Sequence, residues 1–510
     1  MLTYNLQKGN RPLYEQLYLA IRGDIECGRI AADEQLPSKR LLARHLSVSV
    51  ITVEGAYDQL VAEGYVRAEP RRGYFACPFE QVAPVKKRAA EPRGKAYGEG
   101  AGEQGIAQPQ AETMMDLSGA QSPLGLFPYA AWARTMRAVL SEETEMTLQQ
   151  AAHPRGAYAL RSAIAAHLRG LRGMDVSPDQ IVVGAGAQLL YALIVQLLGR
   201  ERVFAIENPG YRRLLQIYRA NDVQCVPVLL DSAGPRPDEL MHSEASVLHC
   251  MPSHQFPTGI TTPVGRRQEL LAWAAERPSA SHVKRYIIED DFDCEFRMTG
   301  RPVPSLMSMD TNNTVIYTNT FTKTLGATFR IGYTVLPQEL SHVFDSELGF
   351  YSCTVGALEQ LTLARFMMSG EYERHINRQR THFRRVQNAF VRALNATKMA
   401  PFLKTHHVGS GLHFMLELDV FHNDMVSAEV QNRGCVSLEQ KVADAVLKRG
   451  LKLAPLSEFW LACSHKQSSP LSNNPQFMMN VTTLAEDDVE NVAKILSDAV
   501  AEVLACIDSN

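Results

Sequence analysis

The apolar positions near the start of the chain repeat with a helical period. Leu13, Leu17, Ile21 and Ile25 lie four residues apart. This spacing puts all four side chains on one face of a helix, so the segment is predicted to be a helix with one buried side.

Two shorter helices are predicted next, and a serine introduces each of them. Ser38 precedes a helix that runs to Leu46, and Ser49 precedes another, because serine side chains favour the N-cap position. The apolar residues on one face of that last helix are Val53, Ala56, Tyr57, Leu60 and Val61. Two short helices joined by a tight turn are typical of a helix-turn-helix.

Two β-rich strings after these helices predict a small hairpin. Tyr65-Val66-Arg67 and Gly73-Tyr74-Phe75-Ala76 flank residues 68–72 like the strands of a wing, with Arg71 and Arg72 at its tip. In such a module the second helix of the helix-turn-helix lies in the major groove. The residues expected to contact DNA are Ser49 and Thr52 at base edges and Lys39, Arg40, Arg71 and Arg72 at phosphates.

The charge of this N-terminal region limits how strongly it attracts DNA. Residues 1–80 contain ten Lys and Arg against ten Asp and Glu, so any basic surface is a local patch. Non-specific affinity scales with the number of phosphates neutralised and is therefore expected to be modest. The alternative interpretation is a small helical interaction domain.

The remainder of the chain has a different pattern. Residues 79–113 carry Lys86-Lys87-Arg88 among prolines and glycines without an apolar period, which predicts a flexible linker. Farther on, apolar strands near residues 181, 203, 247, 286 and 315 alternate with helical segments, as in a mostly parallel sheet covered on both faces. We therefore predict a DNA-binding domain at 10–78, a linker at 79–113 and an α/β domain at 114–510.

Composition narrows the class of protein. The chain has 510 residues, 45% of them hydrophobic, which suits two globular cores. Its net charge of −3 argues against a role in bulk polyanion binding or at a membrane. Its nine cysteines include no Cys-x-x-Cys pair, so we expect a reducing compartment, no disulfide framework and no metal site. With no secretory signal or membrane-length apolar run, we expect a cytoplasmic protein.

The candidate chemistry centres on Lys323. A β-branched strand, Val315-Ile316-Tyr317, leads into the hydroxyl-rich string Thr318-Asn319-Thr320-Phe321-Thr322-Lys323, and Arg330 follows seven residues after the lysine. An amine with a depressed pKa can bond to an aldehyde cofactor, while neighbouring hydroxyls and an arginine hold a phosphate. A solvent-exposed loop lysine is the alternative for this string taken alone.

Three other strings carry complementary chemistry. The strand that begins at Tyr286 ends in carboxylates, and Asp290 is the candidate partner of a pyridine nitrogen. A solvated strand end or a helix cap is the alternative for Asp291 and Asp293. Gly184-Ala185-Gly186 precedes a helix whose first N–H groups can face an anion. Tyr211, after a Pro-Gly turn, can stack on a cofactor ring.

Longer strings resemble a known family. Met251-Pro252-Ser253-His254-Gln255-Phe256-Pro257-Thr258-Gly259, Glu289-Asp290-Asp291-Phe292-Asp293-Cys294-Glu295-Phe296-Arg297 and Gly411-Leu412-His413 are similar to the MocR/GabR-type branch of the GntR transcriptional regulators. The resemblance implies an N-terminal winged helix-turn-helix joined to a C-terminal α/β domain of the fold-type I pyridoxal-phosphate-dependent transferases. It also implies a homodimer, a double-stranded DNA operator and pyridoxal 5'-phosphate as the cofactor.

The resemblance assigns roles to individual residues. Lys323 would form the internal aldimine, Asp290 would pair with the pyridinium and Tyr211 would stack on the ring, with His254 or Gln255 near the 3′ oxygen. The residues implied to hold the phosphate are Ala187, Gln188, Thr320, Thr322 and Arg330.

Five features depart from the family pattern. Val50 stands where the GntR winged-helix module usually has an arginine, which affects the operator sequence expected but not the fold. Phe292 stands where relatives carry a tyrosine that donates to the cofactor's phenolic oxygen, and Phe256 stands where aminotransferases carry an asparagine. Met478 occupies the expected place of the arginine that clamps a substrate carboxylate. The segment 151–156 lacks a tyrosine expected before its Pro-x-Gly. Arg213 is then the candidate for an anionic effector, with a surface-helix arginine as the alternative.

Together these features predict a pyridoxal-phosphate-dependent regulator of transcription. Its aminotransferase-like domain is expected to sense the cofactor itself, or an amine or amino acid through aldimine formation. One alternative is an active aminotransferase that carries a DNA-binding module, which the missing arginine disfavours. A scaffold that has lost the cofactor is the other, and the presence of Lys323, Asp290 and Arg330 argues against it.

Overall fold

The computed structural model divides the chain into two compact units, residues 1–111 and 112–510. It describes residues 2, 4, 6, 12–63, 65–69, 72–77, 115–118, 125–150, 152–276, 283–298, 303–419, 435–461 and 474–508. The predicted linker at 79–113 and the predicted wing-tip residue Arg71 lie outside the described residues.

The N-terminal unit is a winged helix-turn-helix. Its elements are α1 (Leu13–Glu26), β1 (Gln35–Leu36), α2 (Lys39–Leu46), α3 (Val50–Ala62), β2 (Val66–Glu69) and β3 (Gly73–Ala76). The strands form an antiparallel sheet in the order β1-β3-β2. Ser38 and Ser49 cap α2 and α3, since each hydroxyl accepts a hydrogen bond from a backbone N–H three residues on. The predicted helices, their serine caps and the hairpin are confirmed.

The core of this unit comes from the helical stripes seen in the sequence. Leu17 and Ile21 of α1 are fully buried against Val53 and Tyr57 of α3. The apolar periodicity therefore decides which faces of the two helices meet.

The C-terminal unit is built on an eight-stranded sheet. Before it in the chain lies β4 (Met115–Asp116), which belongs to another sheet. The strands of the large sheet are β5 (Ile181–Gly184), β6 (Phe204–Asn208), β7 (Cys225–Asp231), β8 (Gly234–Pro235), β9 (Val247–Cys250), β10 (Tyr286–Asp290), β11 (Val315–Thr320) and β12 (Gly332–Val335). The order is β5-β12-β11-β10-β9-β6-β7-β8, with parallel pairing from β11 through β7. β12 runs antiparallel to both neighbours, so the sheet is mostly parallel, as predicted.

Helices cover both faces of this sheet. They are α4 (Tyr129–Glu142), α5 (Glu145–Gln149), α6 (Tyr158–Arg172), α7 (Ala187–Leu198), α8 (Arg212–Ala220), α9 (Pro237–His242), α10 (Val264–Ala275), α11 (Leu306–Met309), α12 (Thr322–Leu325), α13 (Gln338–Val343), α14 (Ala357–Met368) and α15 (Glu371–Asn395). Along β5, Ile181 and Val183 pack in one layer and Val182 in the other, because successive strand side chains point to opposite faces.

A smaller subdomain follows the large sheet. Its elements are β13 (Leu403–His406), β14 (His413–Leu418), α16 (Cys435–Leu447), β15 (Leu451–Lys452), β16 (Ala454–Pro455), β17 (Gln476–Asn480) and α17 (Val489–Asp508). The antiparallel order β13-β14-β17-β16 packs with α15, α16 and α17 around Phe414 and Phe477, both fully buried. β15 pairs instead with β4.

Candidate functional site

The predicted site residues meet at the carboxyl edge of the large sheet. Asp290 ends β10 and Thr320 ends the adjacent β11, in a register that sets Asp290 opposite Thr318. Lys323 follows in the one-turn helix α12, and Gly184 ends β5 at the same edge, across β12. In α/β sheets this edge is where ligands bind, so the topology brings together strings that are far apart in the sequence.

Lys323 is a half-buried amine whose environment favours the neutral form. Burial lowers the pKa of the Lys323 ammonium below its ordinary value, and the nearby Asp293 carboxylate opposes that shift without cancelling it. A neutral amine is the form that attacks an aldehyde. A lowered pKa is the property that the sequence analysis required of an amine that bonds to an aldehyde.

Two side chains of α15 hold the turn that carries Lys323. Tyr372 Oη donates to Thr324 Oγ1 at 3.1 Å, and His375 Nε2 lies 2.6 Å from the Thr324 carbonyl oxygen. Burial lowers the pKa of His375 to about 4, so the ring is neutral at physiological pH and donates from Nε2. The sequence analysis missed both residues, because nothing in the local pattern of a long helix indicates what it contacts.

The Arg330 side chain lies beside the start of α7. Gly186 has φ of +87° and provides no side-chain cap for α7. The first N–H groups of a helix, here those of Ala187 and Gln188, have no intrahelical acceptor. The Arg330 guanidinium lies over this turn: it donates to the Ala185 carbonyl at 3.4 Å, and a Cβ on Gly186 would come within 2.8 Å of Arg330 Nη2. A helix N-terminus beside a cation suits a phosphate.

Asp290 is held by a buried chain of polar side chains. Tyr191 Oη donates to Asp290 Oδ2, His249 Nε2 lies 3.4 Å from the same oxygen, and Tyr218 Oη lies 2.6 Å from His249 Nδ1. Burial raises the pKa of Tyr191 well above its usual range, so its hydroxyl stays protonated and donates. A carboxylate fixed in this way can pair with a pyridinium. The sequence analysis did not select Tyr191. It lies on α7 three residues after Gln188, and this spacing puts the two side chains on the same face of the helix.

Aromatic rings line the neighbouring wall. The Phe256 ring lies 5.8 Å from Tyr211, 5.4 Å from His413 and 5.3 Å from Phe459, measured between centroids. Phe292 stacks against His413 at 6.3 Å. The two phenylalanines that depart from the family pattern therefore contribute apolar surface where relatives would place hydrogen-bonding groups.

His254, Asp293 and His413 form a buried cluster next to Lys323. His254 Nδ1 lies 2.7 Å from Asp293 Oδ2, and the two imidazole rings are 3.8 Å apart. Their potential ligand atoms all lie within 4.8 Å of one another, which is a spacing that metal sites also have. The 2.7 Å separation is that of a hydrogen bond, so we assign no metal. Asp293 and Asp291 are both about 2% exposed, which excludes the solvated strand end considered for them.

The Gln255 side chain forms hydrogen bonds with the loops that contain Pro209 and Thr258. Its Nε2 donates to the carbonyl oxygens of Pro209 at 3.0 Å and Phe256 at 2.7 Å, and its Oε1 accepts from the Thr258 N–H and hydroxyl. His254 is likewise held, by Asp293 and by the His413 carbonyl at 3.1 Å. The polar atoms of both side chains are therefore hydrogen-bonded to other groups of the protein.

Met478 and Arg213 differ sharply in environment. Met478 is fully buried in an apolar cluster with Met415, against which Phe256 packs. Arg213 is exposed near the start of α8, and within the described part of the chain it makes no ion pair. The position where aminotransferases have a carboxylate-binding arginine is therefore occupied by the buried, apolar Met478. The exposed Arg213 lies two residues after Tyr211.

Glu207, at the end of β6, predicts a dependence of stability on pH. Burial raises the pKa of Glu207 to about 8 from 4.5, against hydrogen bonds from Met251 and Gln255. The folded state thus keeps a proton that the unfolded state loses above about pH 4.5, so this residue's contribution to stability falls as pH rises toward 8. Glu207→Gln should remove that fall and raise the melting temperature at pH 8.5 by a few degrees, but not at pH 5.

Thermal unfolding of wild type and Glu207→Gln at both pH values measures this effect. Glu201→Gln, at an exposed position a few residues earlier, is the matched control. A gain for Glu207→Gln that is the same at pH 5 and pH 8.5 would show that the carboxyl does not titrate in this range.

The residues predicted to contact DNA are of two kinds, hydroxyl residues at the start of α3 and basic residues of α2 and the hairpin. Ser49 Oγ accepts from the Thr52 N–H at 3.1 Å and lies 2.8 Å from Thr52 Oγ1, so the two hydroxyls satisfy each other at the start of α3. Val50 and Ile51, which the sequence analysis did not select as DNA contacts, are exposed in the same turn as Ser49, at 44% and 78%.

The basic residues of the unit are partly neutralised within the protein. Lys39 Nζ lies 2.8 Å from Glu54 and 3.4 Å from Asp58, and Arg72 lies 2.6 Å from Glu69. Arg40 is exposed and makes no ion pair among the described residues. Exposed pairs such as these are weak, so a phosphate can compete for the same cations.

Each of the two units matches a known protein family. Residues 13–75 match the family of bacterial regulatory proteins, gntR family, and residues 112–420 match aminotransferase class I and II. Among the helices that the structure describes, none has the length and apolar character needed to cross a membrane.

Individual proteins show the same combination. The chain is 36% identical over 416 residues to an uncharacterized HTH-type transcriptional regulator, YhdI, of Bacillus subtilis (strain 168), covering 81% of this chain and 84% of that protein. It is 30% identical over 414 residues to the probable rhizopine catabolism regulatory protein MocR of Rhizobium meliloti, covering 79% and 81%.

A solved structure supports the fold of the larger unit. The multiple substrate aminotransferase from Thermococcus profundus superposes with a TM-score of 0.63 at 20% identity, covering 78% of this chain and 94% of that one. Lys323, Asp290, Arg330 and the open start of α7 fit the amine-reactive, pyridine and phosphate parts of pyridoxal phosphate. The chain therefore belongs to the GntR-family transcriptional regulators of the MocR type, DNA-binding proteins with a class I and II aminotransferase domain whose cofactor is pyridoxal phosphate.

Proposed function

We propose that Lys323 bonds to the cofactor and that a small molecule bound at the same edge of the sheet changes the affinity of the N-terminal unit for its operator. The observation that carries this proposal is the half-buried Lys323 amine with a lowered pKa, between the Asp290 network and the Arg330 anion site. Bound pyridoxal phosphate supplies an aldehyde that exchanges reversibly between amines.

The protein side chains have separate parts in this proposal. Asp290, kept in place by Tyr191 and His249, would pair with the ring nitrogen of the cofactor, and Tyr211 would stack on the ring. Arg330, the N–H groups of Ala187 and Gln188, and the hydroxyls of Thr320 and Thr322 would hold the phosphate. Such fixed hydrogen-bond partners orient a ligand without moving during binding.

The effector is either a primary amine or the cofactor itself. Met478 and the rings of Phe256 and Phe459 make an apolar wall that offers no cation to an amino-acid carboxylate. A carboxylate needs a charge-assisted partner in a dry pocket, and Arg213 is an exposed cation near Tyr211. An amine that carries an anionic group would require Arg213, whereas an amine without an anionic group would not.

Regulation requires that the effector distinguish two states of the protein. A ligand shifts a conformational equilibrium only by its difference in affinity for the two states. The test is a gel-shift titration of the full-length protein with operator DNA, alone and with pyridoxal phosphate or each of a panel of amines. An unchanged DNA affinity under every condition would overturn the proposal.

Arg213→Ala separates the two classes of effector. For an anionic amine, we expect the concentration needed to change DNA binding to rise about tenfold or more, since a charge-assisted hydrogen bond is lost. Cofactor binding should be unchanged, because the proposed phosphate site is formed by Arg330 and the start of α7. Arg219→Ala, on the same helix, is the control. An identical effector response in Arg213→Ala and wild type would exclude Arg213 from the effector site.

The second candidate is an active aminotransferase with a DNA-binding module. Sustained keto-acid production from an amino acid would favour it, whereas a single half-reaction would favour the regulator. The apolar environment of Met478 argues against efficient amino-acid turnover.

We also propose a homodimer, as the resemblance implies. Large apolar side chains are exposed on the aminotransferase unit at Tyr129 (73%), Tyr158 (63%) and Phe350 (76%). Exposed apolar surface of this kind often marks a protein interface. Two winged helices in one dimer would bind a repeated operator.

A further inference from the structure

The first turn of α3 exposes apolar side chains where a DNA-binding helix approaches the bases. Ser49 and Thr52 are engaged in capping that turn, through hydrogen bonds of 3.1 Å and 2.8 Å with each other. Val50 is 44% exposed and Ile51 is 78% exposed. At this end of the helix, two exposed aliphatic side chains therefore lie beside the capping hydroxyl of Ser49, which is also exposed.

These two residues do not belong to the core of the unit. The other apolar residues of α3 that face inward, Val53, Tyr57 and Leu60, are fully buried. A single exposed apolar side chain is common on protein surfaces and needs no explanation. What distinguishes Val50 and Ile51 is their position, since the second helix of a helix-turn-helix contacts base edges with its N-terminal residues.

The rest of α3 offers no basic group for reading a base. The sequence of the helix, residues 50–62, contains no lysine or arginine, and its charged residues are Glu54 and Asp58. Both carboxylates lie near Lys39 of α2, at 2.8 Å and 3.4 Å. Guanine recognition usually depends on a bidentate arginine or lysine, so this helix lacks the commonest direct contact.

We propose that Ile51, with Val50 beside it, recognises the 5-methyl group of thymine in the major groove of the operator. The thymine methyl is the apolar group that distinguishes a base pair in this groove, and aliphatic side chains contact it. Exposed cations of α2 such as Arg40 bind phosphates and position the helix. This inference rests on the proposed function, since it assigns sequence preference to the same DNA-binding unit.

The test begins with selection of DNA sequences by the full-length protein from a random duplex library. Each thymine of the selected site is then replaced by uracil, which removes a methyl group and leaves the hydrogen-bonding groups unchanged. Affinities are measured by fluorescence anisotropy for wild type, Ile51→Ala and the control Leu41→Ala. Leu41 is 47% exposed on α2 and so is a comparable apolar side chain outside the first turn of α3.

We expect uracil at one or two positions to weaken wild-type binding about fourfold per methyl, the effect of losing one buried methylene. Ile51→Ala should lose that sensitivity at the same positions, and Leu41→Ala should keep it. Unchanged thermal unfolding of Ile51→Ala, expected for a side chain 78% exposed, shows that the variant is folded.

Two outcomes would overturn the inference. One is a uracil effect of equal size in wild type and Ile51→Ala, and the other is no uracil effect in any protein. In the second case, Val50 and Ile51 become candidates for contact with another protein. Failure to enrich any sequence in the initial selection would instead count against the proposed regulatory function.

Discussion

Lys323→Ala is expected to abolish the visible absorption band that the wild-type protein develops when titrated with pyridoxal phosphate. The band requires a covalent bond between the cofactor and a lysine amine, and Lys323 is an amine with a lowered pKa at the edge of the sheet. A non-covalent complex should remain, because Arg330 and the start of α7 still offer a phosphate site. The cofactor should then absorb as the free aldehyde.

Lys452→Ala is the matched control for this measurement. Its side chain is 49% exposed and lies 3.6 Å from Asp116, away from the site residues. Borohydride reduction followed by peptide mass analysis gives an independent readout, with the added mass expected on the peptide that contains Lys323. A band that persists in Lys323→Ala would mean that another lysine carries the cofactor. No band in either protein would leave a regulator on a scaffold without the cofactor.

Asp291→Ala is expected to give the largest loss of folding stability among simple variants near the site. Arg172 Nη2 and Asp291 Oδ2 are 2.9 Å apart with side chains 2% and 0% exposed, and Tyr317 donates to the same carboxylate at 2.8 Å. Removal of the carboxylate leaves a buried guanidinium without its counter-charge. Breaking such a pair costs about 3–5 kcal/mol.

Urea unfolding of wild type and Asp291→Ala measures this loss. Asp231→Ala is the control, since Asp231 pairs with Arg266 at 2.8 Å but its side chain is 38% exposed. Water replaces a lost partner there, so the expected cost is about 1 kcal/mol or less. Equal losses in the two variants would show that water reaches Arg172 and that the pair is not a buried one.

The adjacent carboxylates of Asp290 and Asp291 have different contacts and therefore different roles. Asp290 contacts Tyr191 and His249, whereas Asp291 contacts Arg172 and Tyr317 on the opposite side of the strand end. Consecutive residues of an extended chain point to opposite faces. One carboxylate therefore serves the proposed cofactor site and the next one anchors α6 to the sheet.

The sequence by itself determined the two folds and most of their elements. Serine caps, four-residue apolar spacing and alternating β-rich strings are local signals, which is why α1, α2, α3 and the wing were predicted with their order intact. Strand positions near 181, 203, 247, 286 and 315 also followed from local apolar runs. Lys323, Asp290 and Arg330 could be selected because their residue types are chemically distinctive within such runs.

Only the tertiary structure decided which distant side chains support that chemistry. His249 reaches Asp290, and His375 reaches the carbonyl after Lys323, across 41 and 51 positions of the chain. Exposure is equally non-local: Ser49 and Thr52 bond to each other, and Ile51 is left in solvent because the core takes the opposite face of α3. Periodicity specifies which face of an element is apolar, whereas the partners across that face depend on how the elements pack.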